Sequence, residues 1–305
     1  MNTISRRHLM ANTLGAIGTA SLLRPEDALG IEPIKRVGKS VVKLSLAAYS
    51  FRNQLAPKGG TPSLDLLGFI DYCSSLRLDG TELTSYYFAK EITNDYLGSL
   101  KRRAFVNGLG VSGGAIRNDF CQPDGEKRKQ DIAHTKQWVD HYAMLGCPAI
   151  RIFAGNVPKG SSKDEAIGRC VEGIEECCEH AAKKGVFLAL ENHGGITATS
   201  EDMLKIVKQV KSPWFGVNLD TGNFARNPAP YDDLAAIAPY AVNVQFKVSR
   251  HTQKHMGGEA EYLSKCMRII QDANYSGWLA LEYEASEDPY RAIPPLINKL
   301  RASIG

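Results

Sequence analysis

The feature that most constrains this chain is a short apolar run that ends abruptly in polar side chains and recurs along the sequence. The clearest instance is residues 186–195, VFLALENHGG, in which five apolar residues lead directly into Glu191. A run of this length is too short for a core helix and is typical of a strand that is buried on both faces. Comparable runs deliver Asp220, Gln245 and Glu282. The pattern predicts a parallel sheet whose carboxyl edge collects acids and amides.

The spacing of the predicted strands indicates how many there are. Their centres recur every roughly 27 to 39 residues, close to the repeat of a barrel that spends about 250 residues on eight strand–helix pairs. No linker or shift in composition interrupts residues 31–305. A doubly wound open sheet is the alternative, but the first predicted strand is not followed by a phosphate-binding glycine turn. We therefore predict an α/β fold, a single (β/α)8 TIM barrel.

Helix boundaries support this alternation of strands and helices. A long helix is predicted over residues 126–145, because Gly146 and a nearby proline end it. Ser162 has the sequence context of a helix N-cap, and Gly185 closes the helix that it begins. Ser200 is expected to cap the helix after the fifth strand.

The first 30 residues have the pattern of an export signal. SRRHLM is followed by the uncharged run ANTLGAIGTASLL, and Ala28-Leu29-Gly30 resembles a cleavage site. The pair Arg6-Arg7 indicates the twin-arginine route. We predict a twin-arginine-type signal over residues 1–30, a periplasmic protein, and no stable membrane insertion after processing. The alternatives are a frayed amphipathic helix or an uncleaved anchor.

Composition argues against two other classes of protein. The net charge of +4 over 305 residues is too weak an excess to suggest nucleic acid as a partner. The seven cysteines form neither an even framework nor a CxxC pair, so no structural disulfide network is expected.

The polar residues that follow the last four strands suggest a metal site. In a TIM barrel the carboxyl ends of the strands form one face, so Glu191, Asp220, Gln245 and Glu282 are expected to converge there. Three crowded carboxylates repel one another unless a cation lies between them. Oxygen ligands favour Mn²⁺ or Mg²⁺ over zinc. Taken singly, each acid has a structural explanation, such as an Asx turn at residues 220–222, but four in register favour a site.

The segments LALENHGG, NLDTGN, VQFK and LALEYE resemble the corresponding strands of the xylose-isomerase-like barrel superfamily, the sugar phosphate isomerase/epimerase group that also includes endonuclease IV. The resemblance covers nearly all of residues 41–300. It implies a metal held by the four residues named above, with Glu191 and Glu282 also acting as the acid and base beside the substrate.

Two positions depart from the pattern of that superfamily. Gln245 stands where many members carry histidine, and a neutral amide oxygen holds borderline metals less strongly. Asn223 stands near a position that is often histidine in the ketose 3-epimerases. The additional histidines of the trinuclear zinc site of endonuclease IV are not evident either.

Three further residues are predicted to bind substrate. His193 lies two residues after Glu191 and so on the same side of the strand, where it can reach sugar hydroxyls or support the site structurally. Lys247 lies two residues after Gln245 and can polarise a carbonyl, pair with Glu282, or simply be solvated. Asn223 completes the set.

Other chemically active residues are expected to be structural. Glu82 and Arg151 are predicted to take part in ion pairing inside the barrel, with a position at the mouth as the alternative. His251 and His255 are predicted to lie in a loop at the surface or rim. Core packing is the expected role of most aromatic residues, but four of them could also supply an apolar wall for a sugar face: Tyr49, Phe51, Phe153 and Trp214.

The function expected from this reading is a divalent-metal-dependent sugar isomerase or epimerase that works through an enediolate next to a carbonyl. A metal-dependent lyase that eliminates from 3-oxo-glycosides is one alternative, and a non-catalytic carbohydrate-binding barrel is another. The partner is expected to be a small, unphosphorylated carbohydrate, because Gly194-Gly195 lacks an accompanying basic cluster. A homo-oligomer is compatible with the sequence.

Overall fold

A computed structural model describes residues 30–304, so the predicted export signal lies outside the described residues except for Gly30. Eight parallel strands pair in chain order and close into a barrel, with β8 paired to β1. The (β/α)8 barrel predicted from the sequence is confirmed. The strands are β1 Val42–Ala47, β2 Gly80–Thr84, β3 Gly110–Ala115, β4 Ala149–Ile152, β5 Phe187–Glu191, β6 Phe215–Asp220, β7 Ala241–Val248 and β8 Gly277–Tyr283.

Helices follow the strands and form an outer layer around the barrel. Two strands, β1 and β7, are followed by a short additional helix before the main one. The helices are α1 Arg52–Leu55, α2 Leu66–Ser75, α3 Asn94–Val106, α4 Glu126–Leu145, α5 Lys163–Lys184, α6 Ser200–Val207, α7 Pro230–Ile237, α8 Arg250–His255, α9 Glu259–Asp272 and α10 Pro289–Ile304. Within residues 30–304, none of them is both long and apolar enough to cross a bilayer.

The apolar core lies between the barrel and the helices. Alternate strand residues point outwards into this layer and supply the apolar side chains of the strands. Tyr142 of α4 packs against β3 at Gly114, where a Cβ atom would lie 2.3 Å from the tyrosine ring. The Tyr142 hydroxyl donates a hydrogen bond to the Leu83 carbonyl of β2. A glycine is therefore required at position 114 for the helix to approach the barrel this closely.

The inside of the barrel is polar rather than apolar. Near the amino-terminal end, the Ser112 and Ser45 hydroxyls share a hydrogen bond of 2.7 Å. Above them, Asn243 donates to Asn218 at 2.7 Å and to Glu82 at 3.3 Å. All five side chains are buried, and mutual hydrogen bonding offsets the cost of removing them from water.

Side-chain caps mark the starts of five helices, α2, α3, α5, α6 and α8, and two predictions are corrected at helix starts. The predicted Ser162 cap is confirmed as a full capping box with Glu165. The cap of α6 is Thr199 rather than Ser200, because the Thr199 hydroxyl accepts from the Asp202 amide. His251 and His255 do not lie in a loop, since the residues from Arg250 onwards form α8, capped by Ser249.

Candidate active site

The carboxyl ends of β4 to β8 deliver a cluster of charged side chains into the mouth of the barrel. Residues two apart on a strand point to the same side, so Gln245 and Lys247 of β7 both point into the barrel, one above the other. Lys247 lies in register with Glu282 of β8, and Gln245 lies in register with Asp220 of β6. The register therefore places the lysine, not the amide, at the level of Glu282.

Lys247 occupies the centre of three carboxylates. Its Nζ atom lies 3.0 Å from Asp220 Oδ2, 3.0 Å from Glu282 Oε2 and 2.9 Å from Glu284 Oε1. The predicted pairing of Lys247 with Glu282 is confirmed, and the lysine is only 7% exposed. Burial alone would lower the pKa of Lys247, but the surrounding carboxylates outweigh it and hold that pKa well above its usual value.

Asp220 uses its two oxygens for different purposes. Oδ1 accepts hydrogen bonds from the Gly222 amide at 2.8 Å and the Asn223 amide at 3.0 Å, which forms the Asx turn anticipated at residues 220–222. Oδ2 faces Lys247. The structural explanation therefore applies to Oδ1, whereas Oδ2 is left for a charged partner.

The contacts of Lys247 with Asp220 Oδ2 and Glu282 Oε2 are short but poorly directed. Both oxygens are fully buried and lack a partner with hydrogen-bond angles, although each lies 3.0 Å from Nζ. The distances establish ion pairs, and the angles show that the ammonium does not satisfy these oxygens as a hydrogen-bond donor. Two buried carboxylate oxygens thus lie close to the Lys247 ammonium, and neither receives a well-directed hydrogen bond.

Glu191 lies in a different setting, because its oxygens contact Arg151 and Asn223, although Arg151 Nε also lacks a directed hydrogen bond. Oε2 is 2.9 Å from Arg151 Nε, and Oε1 accepts a hydrogen bond of 2.8 Å from Asn223 Nδ2. Arg151 also donates to the Ile116 carbonyl at 2.7 Å, and its guanidinium carbon lies 3.9 Å from the centre of the Phe153 ring. Arg151 therefore pairs inside the barrel as predicted, and its partner is Glu191.

Gln245 points into the interior polar layer of the barrel. Its Nε2 donates to Glu82 Oε1 at 2.7 Å, and its Oε1 accepts from Asn218 Nδ2 at 2.7 Å. Glu82 forms no ion pair among the described residues, contrary to prediction, because the neutral amides of Gln245 and Asn243 surround it instead. Burial raises the pKa of Glu82 to about 7.

Two of the acids at the mouth hold protons unusually tightly. Burial is the main cause that raises the pKa of Asp220 to about 6 and that of Glu282 to about 8, and neighbouring carboxylates add to it. Lys247 acts in the opposite direction on both groups but does not overcome burial. Negative charge is therefore crowded at the mouth when these acids are ionised.

A count of charges leads to the same conclusion and bears on a metal. Four carboxylates, those of Glu191, Asp220, Glu282 and Glu284, face two cations, Arg151 and Lys247, which leaves a formal charge of −2. The donors are hard oxygens of the kind that Mn²⁺ and Mg²⁺ prefer. The residues thus fit a divalent cation in charge and in donor chemistry.

These donors must rearrange before they can surround such a cation. Within residues 30–304, no three side chains of the His, Cys, Asp or Glu type are positioned around a single metal point. Lys247 Nζ lies where Asp220 and Glu282 converge, while Glu191 and Gln245 are hydrogen-bonded elsewhere. Asp220 and Glu282 are therefore the two predicted ligands that the structure brings to one point.

The three residues predicted to bind substrate line one open cavity of about 340 Å³ above this cluster. Asn223 and Lys247 form its floor, where Lys247 Nζ donates to Asn223 Oδ1 at 3.1 Å. His193 is exposed at the edge, with its ring centre 4.4 Å from that of Phe153. An apolar cavity of about 100 Å³ beside Tyr262 and Leu296 lies away from these polar groups, and we do not consider it the site.

The predicted aromatic wall is only partly present at the mouth. Phe153 lies there under His193, and Tyr49 packs edge-on against Tyr86, which follows β2. Phe51 is fully buried in the outer core, and Trp214 precedes β6 at the opposite end of the barrel. The expected core packing is therefore confirmed for Phe51, and neither of these two residues lines the mouth.

Glu284 is the site residue that sequence reasoning missed. It lies two residues after Glu282, so the period of a strand places it on the same side, one layer higher. The segment LEYE carries that signal. The pairing of Arg151 with Glu191 was missed as well, since it depends on how β4 and β5 lie side by side.

Comparisons with known proteins agree with this architecture. The model of the family described as xylose isomerase-like TIM barrel matches residues 70–302. A protein of Sinorhizobium meliloti 1021 has a similar structure, with 22% identity, a TM-score of 0.66, and coverage of 86% of this chain and 96% of that one. A comparison with curated protein sequences finds no significant match.

Several structurally similar proteins have names that state an activity, among them two epimerases. A 3-keto-D-glucoside 4-epimerase from E. coli aligns with a TM-score of 0.67 at 15% identity, over 86% of this chain and 99% of that one. A D-psicose 3-epimerase from Clostridium cellulolyticum H10 aligns with a TM-score of 0.67 at 17% identity, over 86% of this chain and 96% of that one. Identities this low show a shared fold, whereas the family match extends over most of the 305 residues. The chain belongs to the xylose isomerase-like TIM barrel family.

Proposed function

We propose that the protein is a sugar isomerase or epimerase that moves a proton at the carbon next to a carbonyl and depends on a divalent metal, with Mn²⁺ or Mg²⁺ as the expected ion. The observation that carries this proposal is the pair of buried acids at the mouth, Glu191 and Glu282, held in unlike electrostatic settings. Glu191 is paired with Arg151, while burial raises the pKa of Glu282 to about 8. Two acids whose environments differ in this way are suited to opposite steps of a proton transfer.

The reaction follows from the chemistry of these two groups. One of Glu191 and Glu282 takes the α-proton as its C–H bond breaks, and the electron pair moves to the carbonyl oxygen to give an enediolate. Return of a proton to the neighbouring carbon completes an isomerisation, and return to the opposite face of the same carbon completes an epimerisation. The Lys247 ammonium on the cavity floor can donate to the developing oxyanion.

Asp220 and Glu282 would hold the cation, joined by Glu191 and Gln245 if those side chains leave their present partners. When bound, a divalent cation stabilises negative charge on the enediolate oxygens. The names of two structurally similar proteins, a 3-keto-D-glucoside 4-epimerase and a D-psicose 3-epimerase, support a sugar as the substrate. No basic cluster accompanies the cavity beyond Arg226 and Lys247, which agrees with an unphosphorylated sugar.

A second candidate, elimination from a 3-oxo-glycoside, is favoured by the extent of the mouth. The cavity above Lys247 adjoins one of about 240 Å³ through His193. That cavity in turn adjoins one of about 640 Å³ through Arg117, beside Tyr86 and Trp138. The combined cleft offers more room than a single sugar ring needs, so a glycoside fits it. The same enediolate would then expel the group attached at the β carbon.

Export to the periplasm is part of the proposal and depends on the Arg6-Arg7 signal, which lies outside the described residues. The twin-arginine route carries folded proteins, so a metal could be loaded before export. Cell fractionation of the full chain and of a variant with both arginines replaced by lysine tests this directly. We expect only the unaltered chain in the periplasm, and an equal distribution would contradict it.

Exchange with solvent deuterium tests the enzymatic proposal. The protein, freed of metal and then supplied with Mn²⁺, is incubated in D₂O with free ketoses and with a 3-oxo-glucoside, and proton NMR follows the α-hydrogen. We expect loss of the α-proton signal from at least one substrate, with a new epimer, isomer or elimination product. A non-catalytic binder would shift the sugar resonances without any exchange, and that outcome would refute the proposal.

A further inference from the structure

We propose that Lys247 is an internal cation that holds Asp220 and Glu282 together in the metal-free protein and gives up this position when a divalent cation binds. This inference rests on the metal site of the proposed function. It assigns Lys247 a role in setting metal affinity, in addition to its predicted contact with substrate.

The first step is that the lysine and a metal would lie too close together. Asp220 Oδ2 and Glu282 Oε2 each lie 3.0 Å from Lys247 Nζ, so an ion bound to both at about 2.1 Å lies within about 5 Å of the ammonium. Two cations cannot stay this close in a buried site, because their repulsion is strong where little water screens it. Metal binding at these two acids therefore requires the ammonium to move.

The second step is that the ammonium has a place to go. Asn223 Oδ1 already accepts a hydrogen bond of 3.1 Å from Nζ, and Glu284 Oε1 forms an ion pair with it at 2.9 Å. The Glu284 side chain is 26% exposed, whereas that of Asp220 is completely buried. Movement towards Glu284 thus takes the charge closer to water and keeps it paired.

The third step is that only the end of the side chain needs to move. Gly222 packs against the base of Lys247, since a Cβ atom at position 222 would lie 2.9 Å from Lys247 Cβ. The first part of the stem is therefore fixed, while the outer methylene groups of a lysine rotate freely. The first part of the Lys247 side chain thus stays in place, while its ammonium can move from Asp220 and Glu282 towards Glu284.

The affinity of the protein for Mn²⁺ tests this inference without any substrate. Isothermal titration at one fixed pH compares the wild type with Lys247→Met, in which no ammonium competes. We expect Mn²⁺ to bind at least about tenfold more tightly to Lys247→Met, a difference of about 1.4 kcal/mol. Equal or weaker binding, or no binding to either protein, would overturn the inference.

Lys205 offers a matched control, because its Nζ also lies between two acids, 3.1 Å from Glu201 and 3.4 Å from Asp202, but on the surface of α6. Lys205→Met should leave Mn²⁺ affinity unchanged. If Lys247→Met does not fold, as judged by circular dichroism, Lys247→Gln replaces it, and the same tightening is expected.

A double-mutant cycle separates exchange of position from general attraction. Glu284→Gln removes the acceptor for the displaced ammonium, so it should weaken Mn²⁺ binding in the wild type but have little effect in the Lys247→Met background. If Glu284 acts only by its charge or as a direct ligand, binding weakens by the same factor in both backgrounds, and the inference fails. Failure of this cycle would leave α-proton exchange unaffected, whereas absence of exchange would refute the sugar enzyme alone.

Discussion

The two sides of the barrel mouth hold buried negative charge in opposite ways. On one side, Arg151 pairs with Glu191 alone and is fixed by the Ile116 carbonyl and the Phe153 ring. On the other side, Lys247 is shared by Asp220, Glu282 and Glu284. We call these two groups the arginine pair (Arg151, Glu191) and the lysine cluster (Lys247, Asp220, Glu282, Glu284).

This difference indicates which side of the mouth can accept another cation. A planar guanidinium with several fixed contacts leaves little freedom to its carboxylate, whereas an ammonium on a flexible stem can move among its partners. The lysine cluster also has an excess of acids over cations, and the arginine pair has none. We therefore assign the orientation of one acid to the arginine pair, and the response to metal to the lysine cluster.

The largest effect is expected from removing either acid that transfers the proton. Glu282→Gln and Glu191→Gln should each lower the rate of α-proton exchange by about 10²- to 10⁴-fold, because each removes one partner of the transfer. Deuterium exchange followed by NMR measures this, and circular dichroism checks that the fold is kept. An exchange rate within twofold of wild type for Glu282→Gln would remove its assigned role.

The next effect concerns stability and contrasts the two cations. Arg151→Met leaves the buried Glu191 carboxylate without its ion-pair partner. It should lower the free energy of unfolding in urea by about 3–5 kcal/mol. Mn²⁺ should restore only part of this loss, because Glu191 can join the cation once Arg151 is gone but stays hydrogen-bonded to Asn223. Lys247→Met should also destabilise the metal-free protein, but saturating Mn²⁺ should restore most of its stability. Equal rescue of both variants would show that the two sides are not distinct.

A smaller effect is expected from pH, and it reports on the lysine cluster. The pKa values of Asp220 and Glu282 are raised from 3.8 and 4.5 to about 6 and about 8, so the folded state binds more protons than the unfolded state between these limits. The free energy of unfolding of the metal-free protein should therefore fall as pH rises from about 4 to about 8. Urea unfolding at several pH values checks this. A rise over the same range would contradict the proton affinity assigned to these acids.

The smallest effect is expected at the residue that joins the two sides. Asn223 donates to Glu191 and accepts from Lys247. Asn223→Ala should cost about 1–3 kcal/mol of stability, because both partners stay buried without it. It should also reduce the coupling between Arg151→Met and Lys247→Met in a double-mutant cycle. Coupling that is unchanged by the substitution would show that the two sides do not communicate through Asn223.

Much of the fold could be predicted because its signals are local. The bounds of α4 were predicted correctly, since Gly146 and a nearby proline mark where this helix ends. The apolar runs located the strands, and their spacing gave the barrel. The prediction failed at His251 and His255, where six residues form a helix after a capping serine and no apolar periodicity announces it.

The site could be predicted in its location but not in its pairing. Chain position showed that Glu191, Asp220 and Glu282 would reach the same face, and the structure places them there. Which carboxylate takes which cation depends on strand register and side-chain height, and neither is encoded within one segment. Gln245 shows this clearly, because the register places it one layer below Lys247, where Glu82 and Asn218 bind its amide.

Anomalous diffraction from crystals soaked in Mn²⁺ tests the central claim, that the excess of acids around Lys247 is a site for a divalent cation. We predict a single strong peak at the mouth in direct contact with carboxylate oxygens of Asp220 and Glu282, with the Lys247 ammonium moved towards Glu284. No peak at the mouth at saturating Mn²⁺, with Lys247 still between Asp220 and Glu282, would contradict the account.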